Sequence, residues 1–445
     1  MKKPRYLRLA DTLSAAIREG RLAPGTKLPT HRAFAEQCNV ALATATRIYK
    51  ELERRGEVVG EAGRGTFVRD PGLPPTLGVH QTESEGLIDL VFNMPGAAGD
   101  AEILRAGLRR LSSAGDLDAM LRYQPHGGRA HERRIIADSL TPSLGPVQPE
   151  NLLITSGGQH GLAIIAFGLF QKGEAVAADT LTYPGFKSVA ALQGLDLIPV
   201  EGSDGVMDPD ALDRQCHARR LRAVYLMPTV HNPLGSVMDE ATRQRIVEVA
   251  QRHDLIIIED AAYAFLESDP PPSFIELAPE RTIHVGGFSK SLATGLRLGY
   301  LVAPSRHIPR LLEAVRATTW NAPALISGLV TSWVEDGTLA KSEEGRRRDG
   351  AERQRLCQAA LHGLPVSAHP NAGFTWVWLE KGMRAEPIVV ALKERGISAS
   401  GAEPFATTAA VPQALRLAFG GIQKSELKGV FERVYQAVQS EWKSD

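Results

Sequence analysis

The chain has 445 residues, 43% hydrophobic and 23% charged, with 51 Lys+Arg balanced by 51 Asp+Glu. That composition fits soluble globular protein with room for two or three domains. Cys38, Cys216 and Cys357 lie far apart with no CxxC pair, which fits a reducing, cytoplasmic setting and gives no sign of a zinc site; no metal is expected. No apolar run approaches the roughly 18 residues of a membrane span. The basic start MKKPRYLRLADTLSAAIREG is interrupted by Asp11, Arg18 and Glu19, so no export signal is expected either. The zero net charge conceals a division. Residues 1–70 hold 14 Lys+Arg against 8 Asp+Glu, net +6, and the rest hold 37 against 43, net −6. A basic small module joined to an acidic large one points to a polyanionic partner for the first.

In chain order, Tyr6, Leu9, Ala10, Leu13, Ala16 and Ile17 recur at helical spacing, which predicts an amphipathic helix over 5–19. After the loop LAPGTKLP, Thr30 is placed to cap a short helix HRAFAEQC. Ala45, Ile48, Tyr49 and Leu52 mark the buried stripe of a third helix that ends at ERRG, with Gly56 as its C-terminal stop. Two short helices joined by a turn form a helix-turn-helix. EVVGEAGRGTFVRD then reads as strand, glycine turn and strand, a wing with Arg64 at its tip. GRLAPGTKLPTHRAFAEQCNV, YKELERRG and GRGTFV resemble the GntR-type winged helix-turn-helix across residues 5–69. That resemblance implies binding to double-stranded DNA, with Arg32, Thr44, Arg47 and Arg64 as contacts, chiefly to phosphates. Leu42 stands where many of that family carry arginine, so a bidentate arginine–base contact is not expected there.

Residues 71–87, PGLPPTLGVHQTESEGL, have linker composition. From Ile88 to Asp445 the apolar runs NLLIT, EAVAAD, RAVYLMP, DLIIIED and TIHVGG alternate with helical stretches, predicting an α/β domain with a mostly parallel sheet. Ligands of such sheets sit at the carboxyl ends of the strands. The strand ends here carry Ser156-Gly157-Gly158-Gln159, Tyr183, Asn232-Pro233, Asp260 with Tyr263, and Ser289-Lys290 followed by Arg297. An amine, a carboxylate, phenols, an amide and a glycine-opened helix match the aldehyde, pyridine nitrogen, phenolic oxygen and phosphate of pyridoxal 5′-phosphate.

These motifs resemble the fold-type I aminotransferases over residues 88–445, with a smaller C-terminal subdomain expected at roughly 305–445. With the winged helix in front, the chain resembles the MocR subfamily of GntR regulators. The resemblance implies the following roles. Lys290 of FSK…R…GY is the Schiff-base and catalytic lysine, and Asp260 pairs with the pyridine nitrogen. Asn232 and Tyr263 bond the phenolic oxygen, while Gly158, Gln159, Ser289 and Arg297 hold the phosphate. Tyr183 stacks on the ring, Arg416 of ALRLAFG grips a substrate carboxylate, and Tyr123 of YQPHGG reaches the phosphate of a neighbouring subunit, so a homodimer is expected. Gly287 replaces a serine or threonine of many relatives, which removes one phosphate hydrogen bond.

Two functions are open at this point. One is a transcriptional regulator that senses pyridoxal phosphate, an amino acid or another amine. The other is a working aminotransferase with a vestigial or interaction-only N-terminal module. EEGRRRDGAERQRL is expected to be a solvated helix face rather than a nucleic-acid patch.

Overall fold

The computed structural model describes residues 4–23, 25–61, 65–69, 86–96, 99–114 and 117–442. Arg64 and residues 71–85 of the expected linker lie outside them.

The N-terminal module has three helices, α1 (Arg5–Arg18), α2 (His31–Gln37) and α3 (Leu42–Arg54), followed by the antiparallel strands β1 (Val58–Glu61) and β2 (Gly65–Val68). The Thr30 side chain accepts the Ala33 N–H at 3.2 Å and so caps α2. Ala45, Ile48, Tyr49 and Leu52 of α3 are all buried against Ala10, Ile17, Phe34 and Val68. The Tyr49 hydroxyl donates to Pro29 O at 2.7 Å, which satisfies the polar tip of an otherwise apolar ring. Gly56, just past α3, takes φ +71°, a conformation that favours glycine after a helix end.

The large module is built on a seven-stranded sheet of β3 (Leu152–Thr155), β4 (Ala175–Asp179), β5 (Asp196–Val200), β6 (Leu221–Leu226), β7 (Ile256–Asp260), β8 (Thr282–Gly287) and β9 (Gly299–Val302). The spatial order is β3-β9-β8-β7-β6-β4-β5, and β9 alone runs against its neighbours. Runs such as LLIT and AVAAD are buried at every residue, as expected where helices cover both faces. Those helices include α4 (Gly158–Leu169), α5 (Pro184–Gln193), α6 (Pro209–Ala218), α7 (Glu240–Arg252) and α8 (Ile308–Thr318).

A separate three-stranded antiparallel sheet, β10 (Val366–Ser367), β11 (Phe374–Trp378) and β12 (Ala414–Ala418), packs with α9 (Thr338–Ala360) and α10 (Lys424–Trp442). The sequence placed the start of the smaller subdomain near residue 305. Leu311, Ala314 and Val315 nevertheless lie in the core of the large sheet, and the separate core runs from Cys357 onward and takes in Leu90. The chain enters this subdomain first, because Ile88–Asp89 pairs in parallel with Ile397–Ser398. No strand signal survives in a two-residue element.

The basic run on α9 also differs from the expected solvated face. Arg346 is buried and donates to Asp100 Oδ2 at 2.9 Å and Leu292 O at 2.6 Å, and Arg347 donates to Phe265 O at 2.7 Å. Arg348 alone of the three remains exposed, paired with Glu344 at 3.2 Å. Two of these arginines tie α9 to neighbouring segments, each through one backbone carbonyl and Arg346 through the Asp100 carboxylate as well.

Candidate cofactor site and DNA-facing surface

Lys290 follows β8 and is partly buried, with its Nζ donating to Asn93 O at 2.6 Å and lying 5.6 Å from the centre of the Tyr263 ring. Asn93 Nδ2 donates to the Tyr263 hydroxyl at 3.3 Å. Burial alone raises the Tyr263 phenol, but the nearby cations Lys290 and Arg416 bring it below its ordinary value. A phenol so placed is a ready donor or acceptor at neutral pH.

Asp260, at the carboxyl end of β7, is buried and accepts from the Tyr225 hydroxyl at 2.7 Å and the Ala262 N–H at 3.0 Å. Burial holds its carboxyl above the usual range, and these two hydrogen bonds pull the other way. A buried carboxyl of this kind gains from a cationic partner such as a protonated ring nitrogen. Tyr183 caps α5, and its phenol is raised first by burial and then by the charge of Asp260.

Gly157, with φ +90°, precedes the start of α4 at Gly158. A Cβ at Gly157 would stand 3.0 Å from Arg297 Nη2, so the guanidinium lies close against the glycine that opens the helix. Arg297 itself takes φ +49°. An arginine and unpaired helix N–H groups together suit an anion. Gln159 Nε2 donates to Gly185 O at 2.8 Å. Gln159 Oε1, Asn232 Oδ1 and Ser289 Oγ are buried and make no hydrogen bond among the described residues. Buried polar atoms of this kind are costly unless a ligand meets them; of the three, the Ser289 hydroxyl can donate to an anion, and the Asn232 and Gln159 amides carry N–H donors beside their acceptor oxygens. The residues present fit the group.

Arg416, on β12, is buried and donates to Val91 O at 2.9 Å, with its guanidinium 4.8 Å from the centre of the Phe374 ring and 6.0 Å from that of Phe405. Its Nε makes no hydrogen bond among the described residues. Tyr263 and Asp89 both act on this arginine, and among the described residues no carboxylate forms an ion pair with it, so a ligand's carboxylate can meet its fork. Tyr123 is 86% exposed and lies against Trp320 at 5.6 Å, so it is not gathered with the other site residues within this chain.

Two supporting residues escape the motif reading. Asn93 lies in FNMPG, far from the strand ends in sequence, and carries no pattern. Tyr225 does leave a signal, because a phenol inside the apolar run RAVYLMP must find a partner for its hydroxyl.

On the N-terminal module, Leu42, Arg32, Arg47 and Lys50 are exposed and Thr44 is partly so. The Arg47 guanidinium lies 5.0 Å from the centre of the Tyr6 ring. These residues leave a basic face on the solvent side of α2 and α3, opposite the buried stripe. Such a face supplies phosphate contacts more readily than base contacts.

The fold and site define a winged-helix regulatory module joined to an aminotransferase-type α/β module. Residues 87–434 match the aminotransferase class I and II family, to which the chain belongs, and residues 5–68 match the bacterial regulatory proteins of the gntR family. The pair is the MocR arrangement of GntR regulators. The chain is 26% identical to the uncharacterized HTH-type transcriptional regulator YdeF of Bacillus subtilis, covering 93% of this chain and 89% of that one. It is 24% identical to the HTH-type pyridoxine biosynthesis transcriptional regulator PdxR of Corynebacterium glutamicum, over 97% and 95%. Among solved structures it resembles LysN, the α-aminoadipate aminotransferase of Thermus thermophilus complexed with N-(5′-phosphopyridoxyl)-L-leucine. The TM-score is 0.75 at 25% identity, covering 81% of this chain and 94% of that one. Among the described residues no helix is long and apolar enough to cross a membrane.

Proposed function

We propose that the protein is a cytoplasmic transcriptional regulator that binds pyridoxal 5′-phosphate through Lys290, accepts an amino acid or another amine at the same site, and changes its hold on double-stranded DNA in response. The observation that carries this reading is the convergence of Lys290, Asp260, Tyr263 and Arg416 in one buried site of a chain that also presents an exposed basic helix face. The cofactor supplies an aldehyde that condenses with amines and a ring that stabilises negative charge at the adjacent carbon. Lys290 Nζ is the attachment amine and the group placed to carry a proton. Asp260 favours a protonated ring nitrogen, and the Arg416 fork orients an incoming carboxylate.

Coupling to DNA has a physical route. The Arg384 guanidinium, ahead of a helix of the smaller subdomain, lies 4.0 Å from the centre of the Phe67 ring on β2 of the wing. A shift of that subdomain around a ligand at Arg416 would be felt at the wing, which meets the requirement that a ligand favour one arrangement of the modules over another.

Assembly is part of the same reading. Leu104, Leu108, Leu117, Leu121 and Tyr123 are large, exposed and close together in the chain, and an apolar surface of this kind fits a homodimer in which Tyr123 completes the partner's phosphate site. The test is the visible absorption spectrum of purified protein with added cofactor, before and after borohydride, beside Lys290→Ala. A band that borohydride abolishes in the wild type and that the variant lacks is expected; equal spectra would overturn the assignment.

A further inference from the structure

Helices α6 and α7 pack side by side on the sheet, and three side chains meet between their C-terminal ends. Asp213 and His217 are four residues apart on α6 and therefore share a face, while His253 ends α7. His253 Nε2 lies 2.8 Å from Asp213 Oδ1, and His217 Nδ1 lies 3.5 Å from Asp213 Oδ2. The two imidazoles meet edge to face with ring centres 4.9 Å apart. One ligand atom from each residue lies within 4.8 Å of the others.

We propose that Asp213, His217 and His253 bind a divalent transition-metal ion, with Zn2+ as the reference ion and water completing the coordination. Nitrogen and oxygen ligands stand at about 2.0–2.1 Å from zinc, which puts tetrahedral ligand atoms roughly 3.4 Å apart. Reaching that spacing from the present one, in which the atoms span up to 4.8 Å and the His253–Asp213 pair stands at 2.8 Å, asks for movements of roughly 0.5–1.5 Å; the His217 side chain is 66% exposed, and it exchanges its Nδ1 contact with Asp213 O at 2.9 Å for the ion. The other two ligands are already held. Asp213 accepts from Arg252 Nη1 at 2.6 Å as well as meeting His253, an outer contact that fixes the carboxylate's orientation. Two imidazoles and one carboxylate suit Zn2+, Ni2+ or Cu2+ rather than Mg2+ or Ca2+.

The site is independent of the cofactor reading. α6 leads into β6 and α7 into β7, so the ligands sit at the amino ends of strands whose carboxyl ends lead to Asn232 and Asp260. Five or six residues at about 3.3 Å each separate the two edges of the sheet by roughly 17–20 Å. Cysteine spacing, which gave no sign of zinc, does not register two histidines from different helices.

The test is titration of untagged, chelator-stripped full-length protein with Zn2+ in competition with a chromophoric chelator, with Co2+ absorbance as a second readout. One tight equivalent per chain is expected, with at least a tenfold loss of affinity in both His217→Ala and His253→Ala and unchanged circular dichroism. His217 is exposed, so its removal leaves the fold intact. No binding tighter than about 100 μM, or tight binding that survives both substitutions and so belongs elsewhere, would overturn the proposal.

Discussion

Replacing Gly287 by serine should tighten cofactor binding. A Cβ built at Gly287 meets Leu298 O at 3.4 Å, Gly158 N at 3.5 Å and Gly299 Cα at 3.5 Å, which is ordinary contact, so a small side chain enters without displacing backbone. Its hydroxyl would stand beside the first N–H of α4, where the phosphate is expected. A hydrogen bond to a charged acceptor contributes about 1.5–3 kcal/mol net, and fixing a serine rotamer within a site already partly ordered removes some of this. A net gain of about 1–2 kcal/mol corresponds to roughly 5- to 30-fold in Kd. Any backbone stiffening from losing glycine is common to Gly287→Ala, so alanine is the control. The assay is equilibrium titration of cofactor-free protein with pyridoxal phosphate, followed by visible absorbance. Gly287→Ser binding no tighter than both Gly287→Ala and the wild type would refute the placement of the phosphate between Gly158 and Gly287.

Tyr225→Phe removes the hydroxyl that donates to buried Asp260; a stability loss of about 1–3 kcal/mol is expected, seen as a lower Tm of the cofactor-free protein and recovered in part when cofactor is added. The Glu343 carboxyl is pushed up to about 7 by burial, with Arg347 opposing. The folded protein therefore keeps a proton that the unfolded chain releases near pH 4.5, and this group's contribution to stability falls as pH rises through 7. Glu343→Gln should gain about 1 kcal/mol at pH 8, allowing for the residue's partial exposure, and nothing at pH 4, measured by denaturant unfolding at both. Arg384→Ala, which empties the contact over Phe67, should leave the cofactor Kd unchanged while shrinking the difference in DNA affinity between loaded and cofactor-free protein.

Where the chemistry is local in sequence, it was legible. Thr30 reads as a cap because one hydroxyl and a helix start suffice, and Lys290, Asp260 and Gly157-Gly158 read as a site because parallel strands deliver their carboxyl ends to one edge. Long-range partnerships were not legible. Asn93 reaches Lys290 and Tyr263 only because Ile88–Asp89 is drawn to Ile397–Ser398. Arg346 looks solvated in a run of arginines until tertiary packing brings Asp100 and the Leu292 carbonyl against it. The smaller subdomain's core likewise joins Leu90 to residues beyond 356, which periodicity within any window cannot register.

Cofactor held by Lys290 is expected to alter DNA binding. The most direct measurement is the affinity and footprint on a duplex selected by the protein from a random pool, for wild type and Lys290→Ala, each with and without saturating pyridoxal phosphate. The wild type should change its Kd at least fivefold or shift its footprint on adding cofactor, and Lys290→Ala should do neither. Identical affinity and footprint in all four conditions would contradict the account.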